Sequence, residues 1–299
     1  MGKLVEKIVF VSVPNQNLCK ESNFKIMQSF CTFESLYINI PGGLYMAYES
    51  FAQVYDRFME DTPYDQWTEY IKEIFKRHGL VNNTNIIAEL GCGTGNMTQR
   101  LAENGFDMIG IDVSEEMLAK AIEKSQDKYP DILYLNQDMR EFELYGTVDA
   151  IISVCDSINY ITEPDDLLQV FKLVNNYLEP EGLFVFDLNT IYKFEKILGC
   201  NSFCETTENS AYTWENYYDD EEKINEFYTN FFIESEKGLY ERHEEFHYEK
   251  GYTIDEIIEL IEKAGMEFEA VYEELTFHEP TERSQRIFFV AREITKGRK

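Results

Sequence analysis

The sequence predicts an α/β protein, a mostly parallel sheet covered by helices on both faces. Three observations carry that reading. From residue 85 onward, short apolar runs alternate with amphipathic helical stretches. The first run ends in a glycine-rich loop, Glu89-Leu90-Gly91-Cys92-Gly93-Thr94-Gly95, that opens a helix. Acidic residues, Asp112 and Asp138, then close the next two runs. Parallel strands need long crossovers, which helices supply, and strands buried on both faces read as near-continuous apolar runs.

The first 45 residues stand apart from this pattern. They hold four Lys and three Asp or Glu, whereas residues 46–299 hold 23 basic and 53 acidic side chains. Beyond KIVFVSV they have no clear period, and they end in Pro41-Gly42-Gly43-Leu44-Tyr45 before Met46. Two readings are open for this extension. It is a flexible native lead, or it lies upstream of a true start at Met46, since Gly-Gly codons can spell a ribosome-binding site. Mass spectrometry of the native N-terminus decides, and a peptide from residues 1–45 would remove the second reading.

Residues 46–82 read as a helical cap, with helical spacing in SFAQVYDRFME and in PYDQWTEYIKEIFKRHG. Pro63 suits the first turn of the second helix and Gly79 its stop. Residues 83–190 form the alternating core. Its strands are NIIAEL, DMIGID, DILYLNQD, VDAIISVC and GLFVFDLN, and its helices TGNMTQRLAENG, SEEMLAKAIEKSQ and DLLQVFKLVNNYL. Ser114 with Glu115 and Glu116 is a strong helix start, acids standing at the positive end of the dipole. Residues 191–250 are a β-rich insert. AYTWENYY, KINEFYTNFFIES and GLYERHEEFHYE alternate with period two, broken at Asp219-Asp220 and Lys237-Gly238, and predict an antiparallel meander. Residues 251–299 supply a last helix, TIDEIIELIEKAG, and the strands EFEAVYEE and SQRIFFVARE.

Composition narrows the function. With 44% apolar and 15% aromatic residues the chain has ample material for a core. A formal charge of −29 repels phosphate backbones and disfavours nucleic acid as a partner; the basic tail Lys296, Arg298, Lys299 is the longest basic cluster. The six cysteines, at 19, 31, 92, 155, 200 and 204, lack paired metal-ligand spacing, so free thiols and no metal are expected. No run of 18 apolar residues spans a membrane and no signal-peptide core is visible, so a cytoplasmic protein is expected, as monomer or homodimer.

In open parallel sheets ligands bind outside the carboxyl ends of the strands. That rule places Gly91–Gly95, Asp112, Asp138 and Cys155–Tyr160 along one rim. Glycines at alternate positions let the backbone turn sharply and approach a ligand closely. The loop departs from the dinucleotide fingerprint, whose third glycine comes three residues after the second, and this disfavours a nicotinamide oxidoreductase. Asp112 is placed to accept from both ribose hydroxyls of a nucleoside, and Asp138 from an adenine amino group with Met139 against the ring.

AELGCGTGNMT, IGIDVSEEML, NQDMREF and the strand VDAIISV with its loop, in that order, resemble the class I S-adenosylmethionine-dependent methyltransferases. The resemblance covers about residues 85–190 and runs more loosely from Met46 to the C-terminus. It implies a Rossmann-like seven-stranded sheet whose last strands form an antiparallel pair, and S-adenosyl-L-methionine as cofactor. Carried over by motif, Glu89, Gly91, Cys92, Gly93, Thr94 and Gly95 hold the methionine moiety, Asp112 with Val113 and Met117 the ribose side, and Asp138 with Met139 the adenine. Cys155 lines the cofactor side and Tyr55 closes over it. Tyr64 and Trp67 are further candidates to help it, but aromatics three apart on a helix read first as core.

Methyl transfer is an in-line displacement, so the protein aligns the acceptor and excludes water, with a base where the acceptor arrives protonated. In Cys155-Asp156-Ser157-Ile158-Asn159-Tyr160 the family's Asn/Asp-Pro-Pro-aromatic motif of base-methylating members is missing, which disfavours adenine-N6 and cytosine-N4 methylation. Asp156, Ser157, Asn159 and Tyr160 are expected to face the acceptor, Asp156 and Tyr160 as catalytic candidates. In the last meander strand Glu241, His243, Glu245 and His247 share one face and Tyr240, Phe246 and Tyr248 the other. A polar strand face is ordinarily solvated; if the insert folds over the rim as a lid, His243 or His247 becomes the general base. Two His four apart on a strand lie ~13 Å apart, too far to share a metal. The expected substrate is a small polar metabolite methylated at nitrogen or oxygen. The alternatives are a tRNA nucleotide, and S-adenosylmethionine binding without catalysis.

Overall fold

The computed structural model describes residues 55–56, 59, 62–80, 85–207, 209–236 and 238–297. The expectations for residues 1–45, a start at Met46, Cys19, Cys31 and most of SFAQVYDRFME lie outside them. Helix α1 (Tyr64–Arg77) leads into β1 (Ile86–Leu90), α2 (Asn96–Glu103), β2 (Asp107–Asp112), α3 (Glu115–Ser125), β3 (Leu133–Asn136) and β4 (Val148–Ser153). Helix α4 (Pro164–Tyr177), β5 (Leu178–Asn189), β6 (Ser202–Thr206), β7 (Ser210–Asp219), β8 (Ile224–Glu236) and β9 (Leu239–Lys250) follow. The described elements end with α5 (Ile254–Lys263), β10 (Met266–Glu273) and β11 (Arg286–Glu293). None of the described helices is long and apolar enough to cross a membrane.

The main sheet has seven strands in the order β10-β11-β5-β4-β1-β2-β3. Strands β1 to β5 pair in parallel, and β11 runs antiparallel to both β5 and β10. The chain builds outward from β1 through β2 to β3, then returns to lay β4 on the other side of β1. The strand order reverses there, so the loops after β1 and β4 leave in opposite directions and open a crevice between them.

Alternation along the strands feeds two cores. Ala88, Leu90, Phe184, Phe186 and Phe289 meet Phe171 of α4 and Ile257 and Ile261 of α5 on one face. Ile87, Ile152, Val185 and Phe288 meet Ile71, Ile74 and Phe75 of α1 and Met97 and Leu101 of α2 on the other. Each such side chain contributes about 1.5–3 kcal/mol by leaving water. The local signals read from the sequence are in place. Pro63 precedes α1 and Ser114 Oγ accepts from Met117 N at the start of α3; the structure adds a reciprocal cap of Thr253 and Glu256 on α5. Strand β5 begins earlier than the sequence suggests, at Leu178 instead of Gly182.

Strands β6 to β9 make a second, antiparallel sheet in sequential order. The three longer strands match the meander read from the sequence. Strand β6 has no counterpart in that reading: it is five residues long and exposed throughout, so it carries no burial alternation to read. A π-helical turn, Lys193–Leu198, joins the region after β5 to β6, and a 3₁₀ turn, Ser157–Tyr160, follows β4.

Candidate active site

One cavity of about 910 Å³ runs from the glycine loop to the inner face of the second sheet. At its β1 end Gly91, Gly93 and Gly95 all have positive φ, at 71°, 54° and 75°. Two of them also leave no room for a side chain. A Cβ on Gly91 would stand 2.5 Å from Ser157 Oγ, and one on Gly95 2.6 Å from the Tyr134 hydroxyl. The N–H groups of Gly91 and Cys92 both donate to Ile111 O, which ties the loop to the end of β2.

Asp112 is fixed by the main chain: Gly93 N donates to Oδ2 at 2.7 Å and Ser114 N to Oδ1 at 2.8 Å. Burial raises its pKa despite those donors. Each carboxylate oxygen keeps acceptor capacity beyond its one backbone donor. Glu89 is buried and accepts from Thr98 Oγ1. It has no ion-pair partner among the described residues, and burial, with Asp112 adding repulsion, pushes its pKa up to about 8. A buried carboxyl with this character is a receptor for a cation. Asp138 lines the cavity with Met139, but its carboxylate is also gripped by Arg140 at 2.5 Å, a contact the sequence does not suggest. Val113, Met117, Cys92, Thr94 and Cys155 line the same end, and Tyr55 lines it from the N-terminal side.

At the end of β4, Cys155 and Asp156 both adopt left-handed backbone conformations, with φ of 64° and 57°. Their N–H groups donate to the two carboxylate oxygens of Asp187, at 3.2 and 2.8 Å. Arg286 of β11 then bridges Asp187 and Asp156, contacting Asp156 Oδ1 at 2.6 Å. Burial opposes ionisation of Asp156, but Arg286 and Lys193 outweigh it and hold its carboxyl below the usual range. Glu249 of β9 hydrogen-bonds to Asp156; its own pKa is raised well above normal by burial and by the Asp156 charge.

The second sheet turns its polar face inward. Glu245, His247 and Glu249 line the cavity, while Phe246 and Tyr248 face solvent. His247 Nε2 lies 2.9 Å from Glu245 Oε2, its ring stacks on Phe227 at 4.6 Å, and Tyr160 meets it edge-on at 5.7 Å. The histidine is thereby held in one orientation with its Nδ1 unpartnered among the described residues. A carboxylate-oriented imidazole on a substrate cavity is the arrangement of a general base.

The chain matches the family described as Methyltransferase domain over residues 87–182. It is 36% identical over 247 residues to "Putative methyltransferase YqeM" of Bacillus subtilis (strain 168), covering 82% of this chain and 97% of that one. A crystal structure of an S-adenosylmethionine-dependent methyltransferase from Clostridium acetobutylicum ATCC 824 superposes with a TM-score of 0.75 at 29% identity, over 83% of this chain and 99% of that one. A shorter stretch of 120 residues is 31% identical to a glycine/sarcosine N-methyltransferase of Halorhodospira halochloris, covering 40% of this chain and 43% of that one.

The chain is a member of the S-adenosylmethionine-dependent methyltransferases.

The residues at the β1 end of this methyltransferase fit that cofactor. Glu89 suits its α-ammonium group, Asp112 its ribose hydroxyls, and the positive-φ glycine loop lets the backbone approach it closely. Several expectations at the acceptor end change. Asn159 does not face the acceptor: it is fully buried, donates to Asn189 O and Lys250 O, and accepts from Asn189 N. It pins the end of β9 to the rim instead. Ser157 Oγ donates to Val154 O at 3.0 Å and braces Gly91. Asp156 lines the cavity as a paired anion, which removes its basicity. Of the two histidines only His247 lines the cavity; His243 sits across from Phe231, further along β9. Tyr64 and Trp67 are buried as read, yet they also line the cavity, and Trp67 Nε1 donates to Glu274 Oε1 at 2.8 Å. Sequence reasoning misses Lys193, Glu249, Asp187 and Arg286. For Asp187 the one signal is a charged residue inside the apolar run Leu183–Leu188.

Proposed function

We propose that the protein methylates a small polar metabolite, at an amine nitrogen in preference to an oxygen. The observation that carries this reading is the continuous cavity, with the cofactor motif at one end and the oriented His247–Glu245 pair at the other. Bound S-adenosylmethionine supplies an electrophilic methyl group. The chain's own residues do the rest. His247 Nδ1 takes the proton that the acceptor loses, and Glu245 stabilises the imidazolium that results. Tyr160, Trp214 and Phe227 wall off water, and Glu245 among aromatic faces favours a cationic amine over a neutral alcohol. The similarity to an N-methyltransferase of glycine and sarcosine supports nitrogen as the acceptor atom.

A tRNA nucleotide fits less well. The net charge of −29 repels a polyanionic backbone. The deciding experiment incubates cell extract with methyl-labelled S-adenosylmethionine and separates metabolites, RNA and protein. Label in the metabolite fraction supports the proposal, and label confined to RNA or protein overturns it. Cofactor binding without label in any fraction points to a non-catalytic binder.

A further inference from the structure

Three basic side chains line the cavity among the described residues: Arg140, Lys193 and Arg286. Two of them are spent on carboxylates. Arg140 pairs with Asp138 and Asp166 at the cofactor end, and Arg286 with Asp156 and Asp187 at the rim. Lys193 differs. It forms no ion pair among the described residues, and its ammonium has one hydrogen-bond partner there, the neutral Asn189 Oδ1 at 2.8 Å. An ammonium has three donors, so two have no partner among the described residues. Burial, with Arg286 nearby, depresses the Lys193 pKa. It opens the π-helical turn Lys193–Leu198 at the end of β5, and such turns gather at functional sites.

A second donor in the same cavity also lacks an acceptor among the described residues: Trp214 Nε1 is buried and makes no hydrogen bond to them. On the same wall Glu245 offers a carboxylate to an amine, so Lys193 and Trp214 Nε1 suit an anionic group carried by the same molecule.

We propose that the acceptor amine carries an anionic group, a carboxylate or a phosphate, and that Lys193 pairs with it. This rests on the small-acceptor reading above. Lys193 is then a specificity-determining residue, and the reaction class extends to amines that are zwitterionic at neutral pH.

The test takes the labelled small-molecule product from the extract and passes it over anion-exchange resin above the pKa of its amine. Retention is expected, and Lys193→Met is expected to raise KM for the purified acceptor on the order of 10²-fold. The same variant should change kcat much less, and Lys193→Arg should recover part of the KM. Calorimetry with S-adenosylhomocysteine confirms that the variant is folded, with Lys193→Gln as the substitute if Lys193→Met is not. Phosphatase treatment separates the two anions, since only a phosphate ester loses its retention. A labelled product that passes through the resin overturns the proposal, as does a retained product whose KM ignores Lys193. Label found only in RNA or protein overturns the small-acceptor reading itself, a different failure that takes this assignment with it.

Discussion

The two ends of the cavity are built by different means. At the cofactor end, Glu89, the glycine loop and Asp112 come from one βαβ stretch, and the groups that fix them are main-chain N–H donors and a neighbouring threonine. At the acceptor end, Asp156, Asp187, Lys193, Glu249 and Arg286 arrive from five separate segments and fix one another through side-chain charge. A site held by backbone geometry is set by local sequence. A site held by buried charges exists only once distant strands have met, and it loses its balance when any one member is removed.

That contrast can be broken at several points. The largest expected effect is on turnover: His247→Ala should lower kcat by about 10²–10⁴-fold, the usual contribution of a general base. Cofactor affinity measured by calorimetry should hold, and a matching fall in affinity would show that the two ends are not separable. Next, Arg286→Met should destabilise the fold by about 3–5 kcal/mol in denaturant unfolding, because it leaves Asp156 and Asp187 as unpaired charges at the rim. A loss below about 1 kcal/mol would mean that solvent reaches this cluster.

At the cofactor end the effects should be smaller and confined to binding. Asp112→Ala removes the acceptor held by Gly93 N and Ser114 N, and should weaken S-adenosylmethionine binding by about 1.5–3 kcal/mol, the worth of hydrogen bonds to a charged group. Glu89 sharpens the comparison through pH. Its pKa is raised from 4.5 to about 8, so between those values the folded protein keeps a proton that the unfolded chain has released. Its contribution to stability therefore falls as pH rises through that window. Binding of a cation there releases the proton, so cofactor affinity should climb from mildly acidic pH toward about 8. In Glu89→Gln that climb should vanish, and a persistent slope would assign it to another group.

Much of the fold is legible in the chain's local pattern. The alternation of apolar runs and amphipathic helices implies the sheet, and Pro63 and Ser114 mark helix starts because such signals act within one turn. The meander shows itself through period-two alternation, which also assigns each of its side chains to one face or the other. What pattern cannot supply is the direction in which the polar face points. His247 and Glu245 point inward because Asn159 fastens β9 to the rim, whereas its position in the loop after β4 suggests a residue facing the acceptor.

The sequence by itself determined the family and the cofactor. Those depend on φ > 0 at three glycines and on acids ending successive strands, and both are properties of neighbouring residues. Only the tertiary structure decided the acceptor end. It paired Asp156 with Arg286 across 130 positions, put His247 and not His243 on the cavity wall, and left Lys193 a half-buried ammonium outside any ion pair among the described residues. Coulomb interactions between side chains distant in the chain depend on where the strands meet, and no local pattern encodes that distance.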